Sequence, residues 1–400
     1  MKVLVINAGS SSLKYQLINM ENEQVIAKGN CEKIGVDGFI THKTTDGRVI
    51  AEKVDFPTHA EAFMKLTEVL TSGEGKVIED MKEVSAVGHR VVQGAERFTE
   101  SVLVTDSVVD TIEEIADLAP LHNPAHVLAI RACQKVLGKE VPQVVVFDTA
   151  FHQTMPEKAY MFGVPYEYYK KYNIRRYGFH GTSHRYVSAR LAKLLGKAPK
   201  ELKIITCHIG NGSSITAVDG GRSVDTSMGF TPLGGIVMGT RSGSLDPSVV
   251  TFIAEKENLT GKQLSDILNK ESGYLGISGV TSDDRDMRAA AESGNKRARL
   301  ALTMVRYQIK KYIGAYAAAM GGLDAIAFTG GIGENSDDLR REVCEHMEFL
   351  GIRLSGDKNV QFNGKEHEIS ADDSRVRIWI VPTNEELTIA RDTVEIVSRG

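Results

Sequence analysis

Cysteine is scarce in this 400-residue chain, and the four present, Cys31, Cys133, Cys207 and Cys344, lie far apart without a CxxC pair. That spacing excludes a disulfide framework and a zinc knuckle, and it fits a reducing compartment. No apolar run approaches the roughly 20 residues needed to cross a bilayer. Met1 leads directly into Val3-Leu4-Val5-Ile6 without a charged segment and cleavage site, so a cytoplasmic location is expected. There is no excess of charge of one sign either. The formal net charge is -4 with acidic and basic residues interleaved, which leaves no basic footprint for a nucleic-acid backbone. Low-complexity linkers, a Walker A sequence and an HExxH zinc motif are also missing.

What is present is the alternation of an α/β protein. Short segments rich in β-branched residues at Val3 to Ile6, Val84 to Val87, Val144 to Phe147, Ile204 to Cys207, Ala325 to Phe328 and Val376 to Val381 read as buried strands. Asn123-Pro124 and Asp246-Pro247 each pair a capping side chain with proline at the first helical position. An amphipathic helix is expected from about Asn295 to Met320, with Leu300, Met304, Ile309, Ile313, Tyr316 and Met320 on its apolar face. Length alone argues for two domains of roughly 150 to 200 residues.

One internal echo organises the chain. Ile6-Asn7-Ala8-Gly9-Ser10-Ser11-Ser12 is echoed by His208-Ile209-Gly210-Asn211-Gly212-Ser213-Ser214, each after an apolar strand and before alternating residues that read as a returning strand. Two related halves follow from that. A tip of glycine and serine brings backbone N–H groups close to an anion, which suits phosphate, and Lys14 adds a positive charge beside the first tip. A Gly/Ser hairpin alone usually only turns the chain; the weight here lies in the repetition. A third cluster, Thr329-Gly330-Gly331-Ile332-Gly333-Glu334-Asn335, falls between a strand and a helix expected from about Asp337 to Phe349. A dinucleotide fingerprint would need glycine where Ser336 stands, so a nucleotide site of neither common type remains.

INAGSSSLK, HIGNGSS and TGGIGEN, in this order, resemble the signatures of the acetate kinase family. GHRVV, LHNP, FDTAFH, YGFHGTSH, TPLGG, MGTRSG and PTNEEL extend the resemblance from Asn7 to Glu385. It implies a phosphotransferase with a carboxyl acceptor, making acetyl phosphate and ADP from acetate and ATP, reversibly and by direct in-line transfer. The implied fold is two duplicated actin-like, ribonuclease H-like α/β lobes with a nucleotide cleft between them. The first lobe would be residues 1–150 with a C-terminal helix 385–400 packing back on it. The second, 151–384, would carry most of the nucleotide site and the interface of a homodimer. No nucleic acid and no membrane enter this picture.

The resemblance also implies residue roles. Arg90 and Arg241 would face the transferring phosphoryl group, whose charge spreads over three oxygens that a planar guanidinium matches. His180 would contact it as well, with His122 in support. Most arginines are solvated surface residues and a lone histidine is more often a packing residue than a catalyst; flanking glycine or apolar residues set Arg90 and Arg241 apart. Asp148 follows a buried strand, at the end of a sheet where α/β proteins place ligands, and with Asn7 and Glu385 it would hold magnesium, or manganese in its place. A base role for Asp148 is disfavoured because a carboxylate acceptor is already ionised at neutral pH. Thr383 and Glu386 match a capping box opening the last helix, which leaves Glu385 free for the metal. For the nucleotide, the resemblance points to Lys14, to His208, Ile209, Gly210, Asn211 and Gly212, to Asp283, Asp284 and Arg285 near the ribose, and to Gly331, Ile332, Gly333, Glu334 and Asn335 around the adenosine. Val92, Leu121, Phe179 and Pro232 would surround the methyl group of acetate. Propionate or butyrate kinase activity is the nearest rival. An actin-like nucleotide-switched module explains the hairpins but not the arginine pair and histidine.

Overall fold

Two compact units make up the chain in the computed structural model, Met1–Ala150 with the segment from Asn384 onward, and Phe151–Thr383. The structure describes residues 1–138 and 140–399; Lys139, inside the expected first lobe, and Gly400, at the end of the expected last helix, lie outside the described residues.

In the first unit the hairpin expected at Ile6–Ser12 forms between β1 (Lys2–Gly9) and β2 (Ser12–Asn19), paired antiparallel from Lys2↔Asn19 to Gly9↔Ser12. The sheet continues outward through β3 (Gln24–Glu32), β4 (Phe39–Thr44) and β5 (Val49–Lys53). On the other side β6 (Val84–Val91) lies parallel to β1, followed by β8 (Gln143–Phe147), parallel to β6, with the short β7 (Val102–Leu103) at the edge. Every residue of β8 is buried, and its apolar run Val144–Phe147 is what a strand covered on both faces requires. One side is covered by helices His59–Thr71 and Asn123–Leu137, whose Phe63, Leu66 and Ala129 join Leu4, Ile6 and Leu17 in one core. The final helix, Glu385–Arg399, packs Ile389 and Ala390 against Val3, Val5, Val144 and Val146.

The second unit repeats the plan. β9 (Lys203–Ile209) and β10 (Ser213–Asp219) form the second hairpin, β11 (Arg222–Thr226) extends it, and β12 (Ala325–Thr329) and β14 (Arg377–Ile380) run parallel on the far side, with β13 (His367–Glu368) at the edge. The order β3-β2-β1-β6-β8 in one sheet matches β11-β10-β9-β12-β14 in the other, strand for strand and direction for direction. The echo in the sequence is therefore a repeat of topology. The helix Lys296–Met320, capped by Asn295, buries Ile309, Ile313, Tyr316 and Met320 against this sheet, whereas Leu300, expected on the apolar face, is exposed.

Three local expectations are not met. Asn123 does not cap its helix: His122 occupies that position, and the buried Asn123 amide bonds both backbone groups of Gln93. The helix expected to reach Phe349 stops at Cys344, where Glu345 turns extended and His346 takes a left-handed φ of 60°. Thr383 and Glu386 form no capping box. Asn384 accepts from the Leu387 N–H instead, while the Thr383 hydroxyl bonds Ser183 and its N–H reaches Glu334.

Candidate active site

In the first unit, strand order brings Asn7, Arg90 and Asp148 together. β1, β6 and β8 are parallel neighbours, so their carboxyl ends lie side by side, and the Asp148 N–H closes onto the Val91 carbonyl at 2.9 Å. Arg90 donates from Nε and Nη2 to the two oxygens of Asp148 at 3.0 and 2.6 Å, and from Nη1 to Asn7 Oδ1 at 3.3 Å. Glu385, at the start of the final helix, lies 4.0 Å from Arg90 Nε. Burial works against the Arg90 charge, but the carboxylates of Asp148 and Glu385 outweigh it and hold the pKa above its ordinary value. Burial raises Glu385 to about 7 although Arg90 pulls it down; Asp148 and Glu386 push the same way as burial.

Near these groups in sequence, Val92 is buried, Leu121 is 53% exposed, and His122 is half-buried at the helix start. Lys14, on β2 opposite Asn7, lines a cavity of about 370 Å³ with Asn7, Lys28, Asn30, Lys43 and Glu386.

In the second unit, His180 has a left-handed φ of 55° and immediately precedes the helix Gly181–Leu194. Its Nδ1 lies 2.8 Å from Ser214 Oγ, and its ring stacks on His208 at 4.2 Å between centroids. A methyl group placed on Gly212 would come within 3.4 Å of Arg241 Nη1 and 3.5 Å of His180 Nε2, so guanidinium and imidazole converge on this glycine. Arg241 Nη1 also donates to the Pro232 carbonyl at 3.3 Å, and burial lowers the Arg241 pKa. Phe179 is buried, with its carbonyl 2.9 Å from His152 Nε2.

The third glycine cluster is a short helix, Gly330–Asn335, starting directly from β12. Gly330 has a φ of +79°, and a Cβ there would meet the Ile209 backbone at 2.8 Å, so only glycine lets this turn lie against β9. Gly210, Asn211, Asp283, Asp284, Arg285, Gly331, Ile332 and Asn335 line one cavity of about 730 Å³. Other residues of the expected nucleotide set do not line it. His208 bonds Ser183, Ile209 is buried in the core, and Gly212 faces Arg241 and His180. Gly333 packs near Ile209, and Glu334 Oε1 fastens the turn by accepting from the N–H groups of Gly330 and Thr383. Asp283 caps the helix Asp284–Glu292 and pairs with Arg285, which lowers its pKa. Asp284 is buried, and burial raises its pKa against the pull of Arg288 and Arg306.

Several residues take places at these sites that the sequence does not specify. Ser282, Arg288 and Ser336 complete the lining of the large cavity, and His184, Ser183, Thr206 and Ser214 surround the stacked histidines. Only strand register shows which hydroxyl meets which ring.

Asn7, Asp148 and Glu385 supply one amide and two carboxylate oxygens, the hard donors magnesium takes alongside water and phosphate. Among the described residues no group of three or more His, Cys, Asp or Glu side chains is placed to hold a metal. In this structure both Asp148 oxygens and the Asn7 amide oxygen accept from Arg90.

The profile of the Acetokinase family matches residues 2–391. A protein named acetate kinase from Caldanaerobacter subterraneus subsp. tengcongensis is 58% identical over 399 residues, covering 99% of both chains. The crystal structure of Porphyromonas gingivalis acetate kinase superposes with a TM-score of 0.95 at 48% identity, covering 99% of each chain. That of a propionate kinase from Francisella tularensis gives 0.92 at 40% identity, again over 99% of each.

Proposed function

The chain belongs to the acetokinase family, and from that premise we propose that it transfers the γ-phosphoryl group of ATP to acetate, giving acetyl phosphate and ADP, reversibly. The observation that carries this reading is the Arg90–Asp148 fork beside Asn7 and Glu385 at the carboxyl ends of three parallel strands. It supplies a fixed guanidinium for an anionic group and oxygen donors for a divalent cation, which phosphoryl transfer requires.

Acetate is ionised at neutral pH, so its attack in line on the phosphorus needs no base. Asp148 therefore acts by orienting Arg90, and Arg90 and Arg241 donate to phosphoryl oxygens as charge develops on them. His180 donates as well, with His122 in support. Asn7, Asp148 and Glu385 would hold magnesium, which when bound neutralises charge on the phosphate oxygens. The cavity of about 730 Å³ takes the adenosine, with Asp283 and Arg285 at the ribose. Lys14 and the His208–Gly212 turn serve the phosphates. Val92, Leu121, Phe179 and Pro232 bound the acyl methyl group. The units act as an N-terminal lobe and a C-terminal lobe, the latter carrying the interface of a homodimer in the cytoplasm.

The likeness to a propionate kinase favours a second reading in which the acyl pocket admits one more methylene. Acyl phosphate formed from ATP with acetate, propionate and butyrate decides between them. The highest kcat/KM is expected for acetate, and ATP turnover indifferent to the acid would sink both readings.

A further inference from the structure

Thr206, Ser214 and His184 form a hydrogen-bonded chain that ends on His180. Strand β9 presents Thr206 and its partner β10 presents Ser214, while the helix Gly181–Leu194 lays His184 over both, one turn after His180. Thr206 Oγ1 lies 2.6 Å from His184 Nδ1, His184 Nε2 lies 2.6 Å from Ser214 Oγ, and Ser214 Oγ lies 2.8 Å from His180 Nδ1. We propose that this chain runs in one direction only and holds His180 as its Nε2–H tautomer, so that His180 is a hydrogen-bond donor at the place where Arg241 converges. Thr206, His184 and Ser214 are then positioning residues for His180. The inference rests on the proposed function only for its consequence in turnover.

The direction follows from counting hydrogens. Each of the three links needs one proton, and each hydroxyl has one to give. Burial, with His152 and His208 close by, holds His184 well below its ordinary pKa, so its ring is neutral and carries a single N–H. If Thr206 donates to Nδ1, His184 donates from Nε2 to Ser214, Ser214 donates to His180 Nδ1, and the His180 proton sits on Nε2. Every hydrogen in the chain is then used. In the opposite sense His180 Nδ1–H donates to Ser214, Ser214 to His184 Nε2, and His184 Nδ1–H to Thr206. The Thr206 hydroxyl proton is then left over. Thr206 is fully buried, and among the described residues its hydroxyl has no hydrogen-bond partner but His184. An unmade hydrogen bond in such a place is costly, so the first direction prevails.

The consequence lies at Gly212, beside which His180 Nε2 and Arg241 Nη1 both sit. With the proton on Nε2, imidazole and guanidinium are two donors facing one anionic group. In the other tautomer His180 would turn a lone pair toward that anion.

The test is two-bond ¹⁵N–¹H correlation spectroscopy on the full chain labelled at histidine, with His180 assigned by the signals lost in His180→Gln. Wild type is expected to show the Nε2–H tautomer at His180. Thr206→Val and Ser214→Ala should shift it toward Nδ1–H or a mixture, and Thr206→Ser should restore it. In parallel, Thr206→Val should lower kcat about 10-fold with little change in either KM, because a donor acting on the transition state is weakened, and Thr206→Ser should recover it. A wild-type His180 protonated on Nδ1, or an unchanged tautomer in both Thr206→Val and Ser214→Ala, would overturn the relay. The wild-type spectrum decides even if a variant fails to fold. Wild-type protein without acetate-dependent ATP turnover but with the expected tautomer would overturn the proposed function and leave the relay standing.

Discussion

Arg90 and Asp148 face each other as two forks, with Nε and Nη2 of the one at 3.0 and 2.6 Å from the two oxygens of the other. Asp148 is buried and Arg90 is mostly so, which makes the pair a fixed piece of the site instead of a flexible surface contact. It leaves Nη1 directed at Asn7, so the fork sets where the remaining donor points.

A lysine cannot reproduce that geometry. Arg90→Lys should lower kcat by about 100-fold or more with charge retained, and Arg241→Lys should behave similarly, since one ammonium cannot hold Pro232 and meet an anion in a plane. Steady-state kinetics check both. Asp148→Ala should cost about 3 kcal/mol of stability in thermal or urea unfolding, the lower end for a broken buried pair because Glu385 remains near Arg90. Near-wild-type turnover in either lysine variant would remove the bidentate role.

Glu385 should make metal binding depend on pH. Its folded pKa, about 7, lies above the usual carboxylate value, so folding takes up a proton there. Its contribution to stability is complete below the unfolded pKa and is lost as pH rises through about 7. Magnesium needs the ionised form, so its affinity should rise over that same interval. Calorimetric titration at several pH values is the check, and Glu385→Gln should bind more weakly with a flatter profile. A wild-type affinity independent of pH would remove Glu385 from the metal site.

Asn384, and not Thr383 with Glu386, caps the final helix. Asn384→Ala should therefore lower stability by about 1 kcal/mol, whereas Glu386→Ala should leave it nearly unchanged. Equal losses in chemical denaturation would restore the capping box.

Val92 should limit acyl length. Val92→Ala makes room for one methylene, worth about 1 to 3 kcal/mol in an apolar pocket, so the propionate-to-acetate ratio of kcat/KM should rise by about 10-fold. An unchanged ratio with the fold intact would place Val92, buried as it is, in the scaffold.

The sequence by itself determined the family, the six strands, the two hairpin tips and the caps whose partners are local. Asp246 meets the Ser248 N–H two residues on, a contact that alternation and spacing specify before any tertiary contact forms. Only the tertiary structure decided the rest. Asn123 was drawn to Gln93 and Thr383 to Ser183, because a buried polar group bonds whichever partner the packed fold provides. Likewise Asn7, Arg90 and Asp148 are scattered through the chain and meet only because β1, β6 and β8 end side by side. The meeting of Thr206 and Ser214 beneath His184 depends on the register of β9 with β10, which sets Ser214 opposite His208 and Thr206 opposite Thr216; a slip of β10 by one residue would turn the Ser214 hydroxyl to the opposite face.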